Sequence, residues 1–252
     1  MTCPDTESSL NQWAAALAPA RLAGRSVIDP PAVIGLEEGY RLARVGQSLF
    51  GTPAGWKIGA TSARAMAFLG VTEPIMGQLY AERIWRDGET ADLSGERPAE
   101  AEPEIAFRLA RPLAAGGDPP ASIGAVHAAA EIVRPSHPDP FRLGVGFILA
   151  DNAAGLGALI GPEIPLAALT APETIGVALS VPGGAATEGR ADAVLGNPLA
   201  ALAWLAQALG QVPAGAWVLS GAMGPAIPLE PASGGGRLIL DAGNHGTATL
   251  RY

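Results

Sequence analysis

Glu102 and Glu104 stand two residues apart in the stretch 101–111, AEPEIAFRLAR, where Ile105, Phe107 and Leu109 alternate with Ala106 and Arg108. A period of two is the pattern of a strand with one face in a core, and it points both carboxylates the same way. Residues two apart on one strand face lie about 7 Å apart at Cα, so their carboxyl groups can converge on one small cation. A third acid from elsewhere would complete an oxygen-rich site for a hard divalent metal. The competing reading is a solvated sheet face, where most acidic side chains sit. Glu131, between an alanine run and Ile132-Val133, is either an exposed tip or a ligand, because an unpaired buried carboxylate is costly. Lys57 lies between Trp56 and Ile58. Taken alone it points out to water; beside a metal cluster it becomes a group that holds a substrate carboxylate or moves a proton.

Other chemistries find little support. The three histidines, His127, His137 and His245, have no zinc spacing, and each reads as a surface or structural residue. The nucleophile elbow G-x-S-x-G and the phosphate loop G-x-x-x-x-G-K-[ST] are both missing, which removes the usual α/β-hydrolase and the P-loop nucleotide enzyme. An all-oxygen octahedral shell of three glutamates and water suits Mg²⁺ or Mn²⁺ better than zinc or copper. Such a metal, with positions left open, can chelate a 2-oxo acid and stabilise an enolate.

The composition sets the frame for these residues. A chain of 252 residues that is 48% hydrophobic can bury a large core. Its net charge of -8, without a basic block, lacks the footprint of a nucleic-acid or anionic-membrane binder, so small substrates or protein partners are favoured. The single cysteine, Cys3, excludes an internal disulfide framework and suits a reducing cytoplasm. The opening residues MTCPDTESSL have neither a basic start nor an apolar run, so no signal peptide is expected. The apolar region 143–160 is broken by Asp151, Asn152 and several glycines and does not read as a membrane span. Plentiful but aperiodic glycine (33) and proline (23) favour a β-rich domain with many turns.

The elements that must position the acids follow from local pattern. Leu10, Trp13, Ala14, Leu17 and Leu22 predict a first helix, bent or ended by Pro19. Asp29-Pro30 predicts the start of a second, with Leu36, Tyr40, Leu42 and Val45 as its apolar stripe down to Gly46. These form a small helical N-terminal unit, residues 1–53, ahead of a domain spanning 54–252. There the pattern predicts a strand at 56–58 and a helix at 63–69 capped by Thr61 or Ser62 and closed by Gly70. A strand or loop over 77–85 carries Glu82, and a turn falls at Asp87-Gly88. The segment 112–120 reads as a loop, 122–130 as a helix, and Asp151-Asn152 as a turn, cap or site. A strand over 177–181 turns at Gly183-Gly184, and Asn197-Pro198 opens a helix with Leu199, Leu202, Leu205 and Leu209 that stops at Gly210. Short strands follow at 217–220, 227–229, 237–240 and 247–252, with the cluster Gly234-Gly235-Gly236 as a turn.

Several spaced segments coincide: Gly55-Trp56-Lys57-Ile58-Gly59, Gly77-Gln78-Leu79-Tyr80, Glu102-Pro103-Glu104-Ile105-Ala106, Glu131-Ile132-Val133, Ala150-Asp151-Asn152, Leu195-Gly196-Asn197-Pro198-Leu199 and Ser220-Gly221-Ala222-Met223-Gly224-Pro225. Together, and in this order from about Asp29 onwards, they resemble the 2-oxopent-4-enoate (2-hydroxypentadienoate) hydratase and 4-oxalocrotonate decarboxylase family of the fumarylacetoacetase superfamily. The resemblance implies an α+β fold, a mixed β-sandwich roll of the fumarylacetoacetase C-terminal type with a small helical N-terminal unit. It implies Glu102, Glu104 and Glu131 as metal ligands for Mg²⁺ (or Mn²⁺), and Lys57 as the active-site lysine with Glu82 as a further acid. Ser220 and Gly221 line the substrate pocket, and Asp151 and Asn152 support it. The implied activity is a Mg²⁺-dependent hydro-lyase of aromatic meta-cleavage catabolism, acting on a 2-oxo or 2-hydroxydienoic acid. A carboxy-lyase and a non-catalytic partner subunit are the alternatives. The implied assembly is a cytoplasmic homo-oligomer, with a sister enzyme as a further partner. The chain departs from the family pattern at Asn197, where some relatives have histidine, and at Asn244-His245-Gly246-Thr247. No histidine precedes His127, so the histidine-glutamate pair of the superfamily's C–C hydrolases has no counterpart.

Overall fold

The structure is a computed structural model that describes residues 6–230 and 235–252. The opening residues 1–5, with Cys3, and Gly234 lie outside the described residues. Three helices come first, α1 (Thr6–Ala14), α2 (Leu17–Leu22) and α3 (Leu36–Ala43). Pro19 falls in the first turn of α2, and the break comes one turn upstream at 15–16, because the ring excludes the carbonyl four residues back. The second helix starts at Leu36 and not at Asp29. Pro30 is followed by Pro31, and a residue before proline is pushed out of the helical region. The Asp29 carboxylate instead pairs with Arg142 at 2.8 Å and His137 at 3.0 Å.

The remaining elements are β1 (Pro53–Gly59), α4 (Ala63–Leu69), β2 (Ile75–Tyr80), β3 (Ile84–Trp85), β4 (Ala99–Leu109), β5 (Leu113–Ala114), α5 (Pro119–Ser122), β6 (Ile123–Val133) and α6 (Gly144–Ala150). After them come β7 (Gly155–Ile164), β8 (Gly176–Ser180), β9 (Ala186–Arg190), α7 (Pro198–Leu209), β10 (Gln211–Val212), β11 (Trp217–Leu219), β12 (Ile227–Leu229), β13 (Arg237–Asp241) and β14 (Thr247–Arg251). Eight strands make one mixed sheet in the order β2-β1-β11-β4-β6-β7-β3, with β12 also on β4. A four-stranded sheet runs β14-β13-β8-β9, and β5 pairs with β10. The main core lies between these sheets and α7, filled by Ile105, Phe107 and Ile132 from one side, Val177, Leu179, Leu238 and Leu250 from the other, and Leu202 and Leu205 of the helix. This is the mixed β roll expected of the fold class.

Two local expectations hold in detail. Ser62 Oγ accepts the Ala65 amide at 3.2 Å to cap α4, which ends at Gly70 with φ 69°. Asn197 Oδ1 accepts from Leu199 N at 2.9 Å ahead of Pro198 in α7. A larger departure is that residues 123–133 form a strand, where the local pattern predicts a helix over 122–130. Ala128, Ala129 and Ala130 favour helix locally, yet β6 is paired along its length with β4 on one side and β7 on the other. Two full ladders outweigh a propensity difference of a few tenths of a kcal/mol per residue. Similarly, the loop predicted over 112–120 contains the short strand β5.

The N-terminal helices do not own their core. Leu10, Trp13, Leu17 and Leu42 pack with Phe147 and Leu149 of α6 in one cluster. Arg21 of α2 reaches Asp151 just beyond α6 in a buried ion pair, Nη1–Oδ1 2.5 Å.

Candidate metal centre

The sheet face opposite the main core carries the acids. In the antiparallel pairing of β4 with β6, Glu102 lies directly across from Glu131, and Glu104 across from Ala129. Glu131 in turn faces Ala158 of β7. Directly opposed residues are about 5 Å apart at Cα, and Glu104 is one pleat repeat further along the same face. Ligand oxygens of all three carboxylates fall within 4.8 Å of one another. Glu104 and Glu131 are fully buried, and Glu102 forms the half-open edge. The alanines opposite Glu104 and Glu131 leave room on this floor that larger side chains would occupy.

Lys57 reaches the cluster from β1, two strands away from β4 across β11. It is buried, with Nζ 3.0 Å from Glu131 Oε2 and donating to Ala153 O at 3.2 Å. The expectation that Lys57 points to water is therefore corrected: a buried ammonium is tolerable here because carboxylates surround it. Ala153 belongs to a turn in which Asn152, Ala153 and Ala154 all adopt positive φ, 55°, 48° and 61°. Non-glycine residues there cost about 1 kcal/mol each, so the surroundings must impose the shape. The Asn152 side chain does much of this, with Oδ1 accepting from Gln78 N at 2.7 Å and Nδ2 donating to Gln78 O at 3.0 Å and Gly155 O at 3.2 Å. It mimics a strand partner for β2. Gly77 permits the close approach: a methyl group there would lie 2.5 Å from Asn152 O and 3.2 Å from Lys57 Cδ.

Three carboxylates and one ammonium leave two negative charges in a buried space. Burial first, then the neighbouring Glu131 charge, pushes the Glu102 carboxyl up to about 7. Glu104 is raised well above the ordinary carboxylate range and Glu131 is raised, in both cases chiefly by burial. Burial acts to lower the Lys57 pKa, but the attraction of the three glutamates outweighs it and the net shift is upward. Glu104 Oε2 accepts the Gly221 amide at 2.8 Å. Glu104 Oε1 and both Glu131 oxygens are sealed and without a hydrogen-bond partner; the Lys57 contact is an ion pair, not an aligned hydrogen bond. Such orphaned anionic oxygens are what a divalent cation satisfies, and an all-oxygen set selects a hard one. The residues fit the group.

The other predicted residues are placed as follows. Ser220 is buried and its Oγ accepts from Ile105 N at 3.2 Å, tying the end of β11 to β4. Gly221, with φ 111°, presents its amide to Glu104. Asp151 binds Arg21 and Ser136 N (2.7 Å), anchoring the N-terminal helices behind the Asn152 turn. Glu82 is not brought to the cluster: it is exposed, and its carboxylate accepts from Thr52 N at 2.9 Å and Thr52 Oγ1 at 2.8 Å. Local pattern reading missed the Ala153 carbonyl as the lysine's second partner. The sequence holds one signal for this lysine: Lys57 is the chain's only lysine, its other fifteen Lys/Arg side chains all being arginine. A chain that otherwise chooses arginine keeps its one proton-releasing ammonium in this cluster.

No protein-family model matches the chain. It is 32% identical over 188 residues to a 4-oxalocrotonate decarboxylase of a Pseudomonas species, covering 70% of this chain and 71% of that one. It is 34% identical over 188 residues to a 2-keto-4-pentenoate hydratase of Paraburkholderia xenovorans, covering 70% and 68%. In fold it is similar to the solved 4-oxalocrotonate decarboxylase from Pseudomonas putida G7, complexed with magnesium and adipate, with a TM-score of 0.83 over 99% of both chains at 24% identity. A mixed β roll that gathers three glutamates and a lysine on one face defines the class of fold, with a candidate divalent-metal centre, and is shared with a putative fumarylacetoacetate hydrolase family protein from Yersinia pestis at a TM-score of 0.58 and 17% identity. Within that class, the chain belongs to the 2-keto-4-pentenoate hydratase and 4-oxalocrotonate decarboxylase family.

Proposed function

We propose that this chain is a Mg²⁺-dependent hydratase that adds water to 2-hydroxy-2,4-dienoates of the 2-oxopent-4-enoate type, giving 4-hydroxy-2-oxo acids in aromatic meta-cleavage catabolism. Glu102, Glu104 and Glu131 would hold the cation. When bound, it supplies a Lewis acid for the substrate carboxylate and C2 oxygen and steadies the negative charge that develops there. Lys57, fixed between Glu131 and the Ala153 carbonyl, orients the carboxylate or relays the proton that moves as the dienol becomes a conjugated enone. Water then adds at C4. The buried floor keeps bulk water from quenching the charge on the C2 oxygen. Glu82, held by Thr52 and outside the carboxylate cluster, is given no role in this reading.

The observation that carries this reading is the buried cluster of three carboxylates with Lys57 among them, a seat for the chelating head of a 2-oxo acid. A substrate with a second carboxylate at its far end, as the decarboxylase reading needs, would call for a second cation there. The decarboxylase reading is favoured by the relatives that carry that name, since loss of carbon dioxide places charge on the same C2 oxygen. Purified protein mixed with 2-hydroxypentadienoate should consume the dienol absorbance only when Mg²⁺ is present; no consumption ends the proposal. Carbon dioxide release from 4-oxalocrotonate, in place of dienol consumption, establishes the second reading. A cytoplasmic homo-oligomer, with a sister enzyme as a further partner, belongs to the same proposal. Ile28 and Val33, 80% and 96% exposed, leave apolar surface that a contact between subunits would cover.

A further inference from the structure

Thr61 is a buried residue, 4% exposed, yet its hydroxyl makes no hydrogen bond among the described residues. Unlike Glu104 Oε1 and the Glu131 oxygens, the Thr61 hydroxyl is not sealed from accessible space. A hydroxyl that is neither satisfied nor sealed is a group kept for something that comes and goes. Its position is tightly set. The preceding Ala60 has φ 56°, and the Thr61 carbonyl accepts from Leu195 N at 2.9 Å, Leu195 itself having φ 49°. Two left-handed non-glycine residues, joined through Thr61, hold it at a cost that ordinary packing would avoid. The side chain lies against Gly221, where a Cβ would overlap Thr61 Oγ1, and the Gly221 amide bonds Glu104. Thr61 thus stands on the Glu104 side of the cluster, while Lys57 stands on the Glu131 side.

We infer that the Thr61 hydroxyl is a substrate-binding group that donates to the carboxylate head of the 2-oxo acid, opposite Lys57. The inference rests on the cluster being a 2-oxo acid site and is indifferent to whether hydration or decarboxylation follows. Oxalate carries the chelating head and nothing beyond it, so it isolates this contact. In calorimetric titrations of oxalate into Mg²⁺-loaded protein, Thr61→Val and Thr61→Ala should each bind about tenfold more weakly than wild type, the scale of a hydrogen bond to a charged group. Thr61→Ser should stay within about twofold, because it keeps the donor. Mg²⁺ titrated alone should bind all four proteins equally, and KM should rise in the valine variant more than kcat falls. Unchanged oxalate affinity in the valine and alanine variants overturns the inference, as does a serine variant as weak as valine. Two hydroxyl-deleting variants leave one to read should the other fail to fold. Wild type that binds Mg²⁺ but no oxalate removes the 2-oxo acid site itself, a failure distinct from that of Thr61 alone.

Discussion

On the proposed function, Lys57 and Glu104 divide the work of one small site. The lysine has a carbonyl, a carboxylate and burial to fix it, and its distinguishing property against the other cations of the chain is that it can release a proton. Lys57→Arg keeps the charge but not the proton chemistry, so turnover should fall by about 100-fold or more while Mg²⁺ affinity changes little. Steady-state rates and metal titration on the same preparation check this; full turnover in the arginine variant would leave the lysine only a charge. Glu104 is held above its ordinary pKa chiefly by burial, so in the absence of a cation it is a liability to the fold. Glu104→Gln should therefore melt higher than wild type in chelator, by the few degrees that about 1–2 kcal/mol provides, and should no longer gain stability from Mg²⁺. A thermal melt with and without Mg²⁺ reads both effects, and a variant still stabilised by the metal would remove Glu104 from the site.

Strand β6 shows what the elements contribute. Its alanine run reads as helix in isolation, because nothing in the residues themselves records the two partners that claim it. Those same alanines are what the site needs, since Ala129 stands opposite Glu104 and Ala158 opposite Glu131. A leucine at position 129 would take up the room these alanines leave beside the carboxylates and press on the glutamates, an overpacking that costs about 1–3 kcal/mol. Ala129→Leu should lower both the melting temperature and the Mg²⁺ affinity, whereas loss of stability with undiminished metal binding would show that the floor is not tuned to the cation. The turn after α6 is the second device of this kind. Asn152 is legible as a polar interruption, but its use as a strand surrogate for Gln78 depends on β2 arriving alongside. Glu82 fails for the matching reason: a short 3₁₀ turn after β2 points it outward to Thr52.

At the scale of the molecule, the eight-stranded sheet separates two tasks, with a hydrophobic core on one face and charge on the other. Helices α1–α3 brace the second face through the core they share with α6 and through the Arg21–Asp151 pair. Among the described residues, no helix is long and apolar enough to cross a membrane. The buried charge gives the whole protein a pH signature. Glu102 titrates near 7 in the fold against an ordinary 4.5, so between those values the folded chain keeps a proton that the unfolded chain releases. Stability without a cation is thus fullest below about pH 4.5 on this account and declines as pH rises through 7, with Glu104 and Glu131 acting in the same direction. Metal binding needs the ionised forms, so Mg²⁺ affinity should rise across that window. The increase in melting temperature on adding Mg²⁺ should be larger at about pH 8 than at about pH 5, and equal increases would contradict the account.

The residues by themselves determined the alternation that points Glu102 and Glu104 the same way, the caps at Ser62 and Asn197, and the spaced segments that mark the family. These are local facts, fixed by side-chain period and by hydrogen bonds within a few positions. Only the tertiary structure decided that Glu131 pairs across from Glu102, that Lys57 is buried and not solvated, that 123–133 is a strand, and that Glu82 stays outside. Each of those depends on which strand lies alongside, and strand partners are chosen by contacts between residues far apart in the chain, which no local period records.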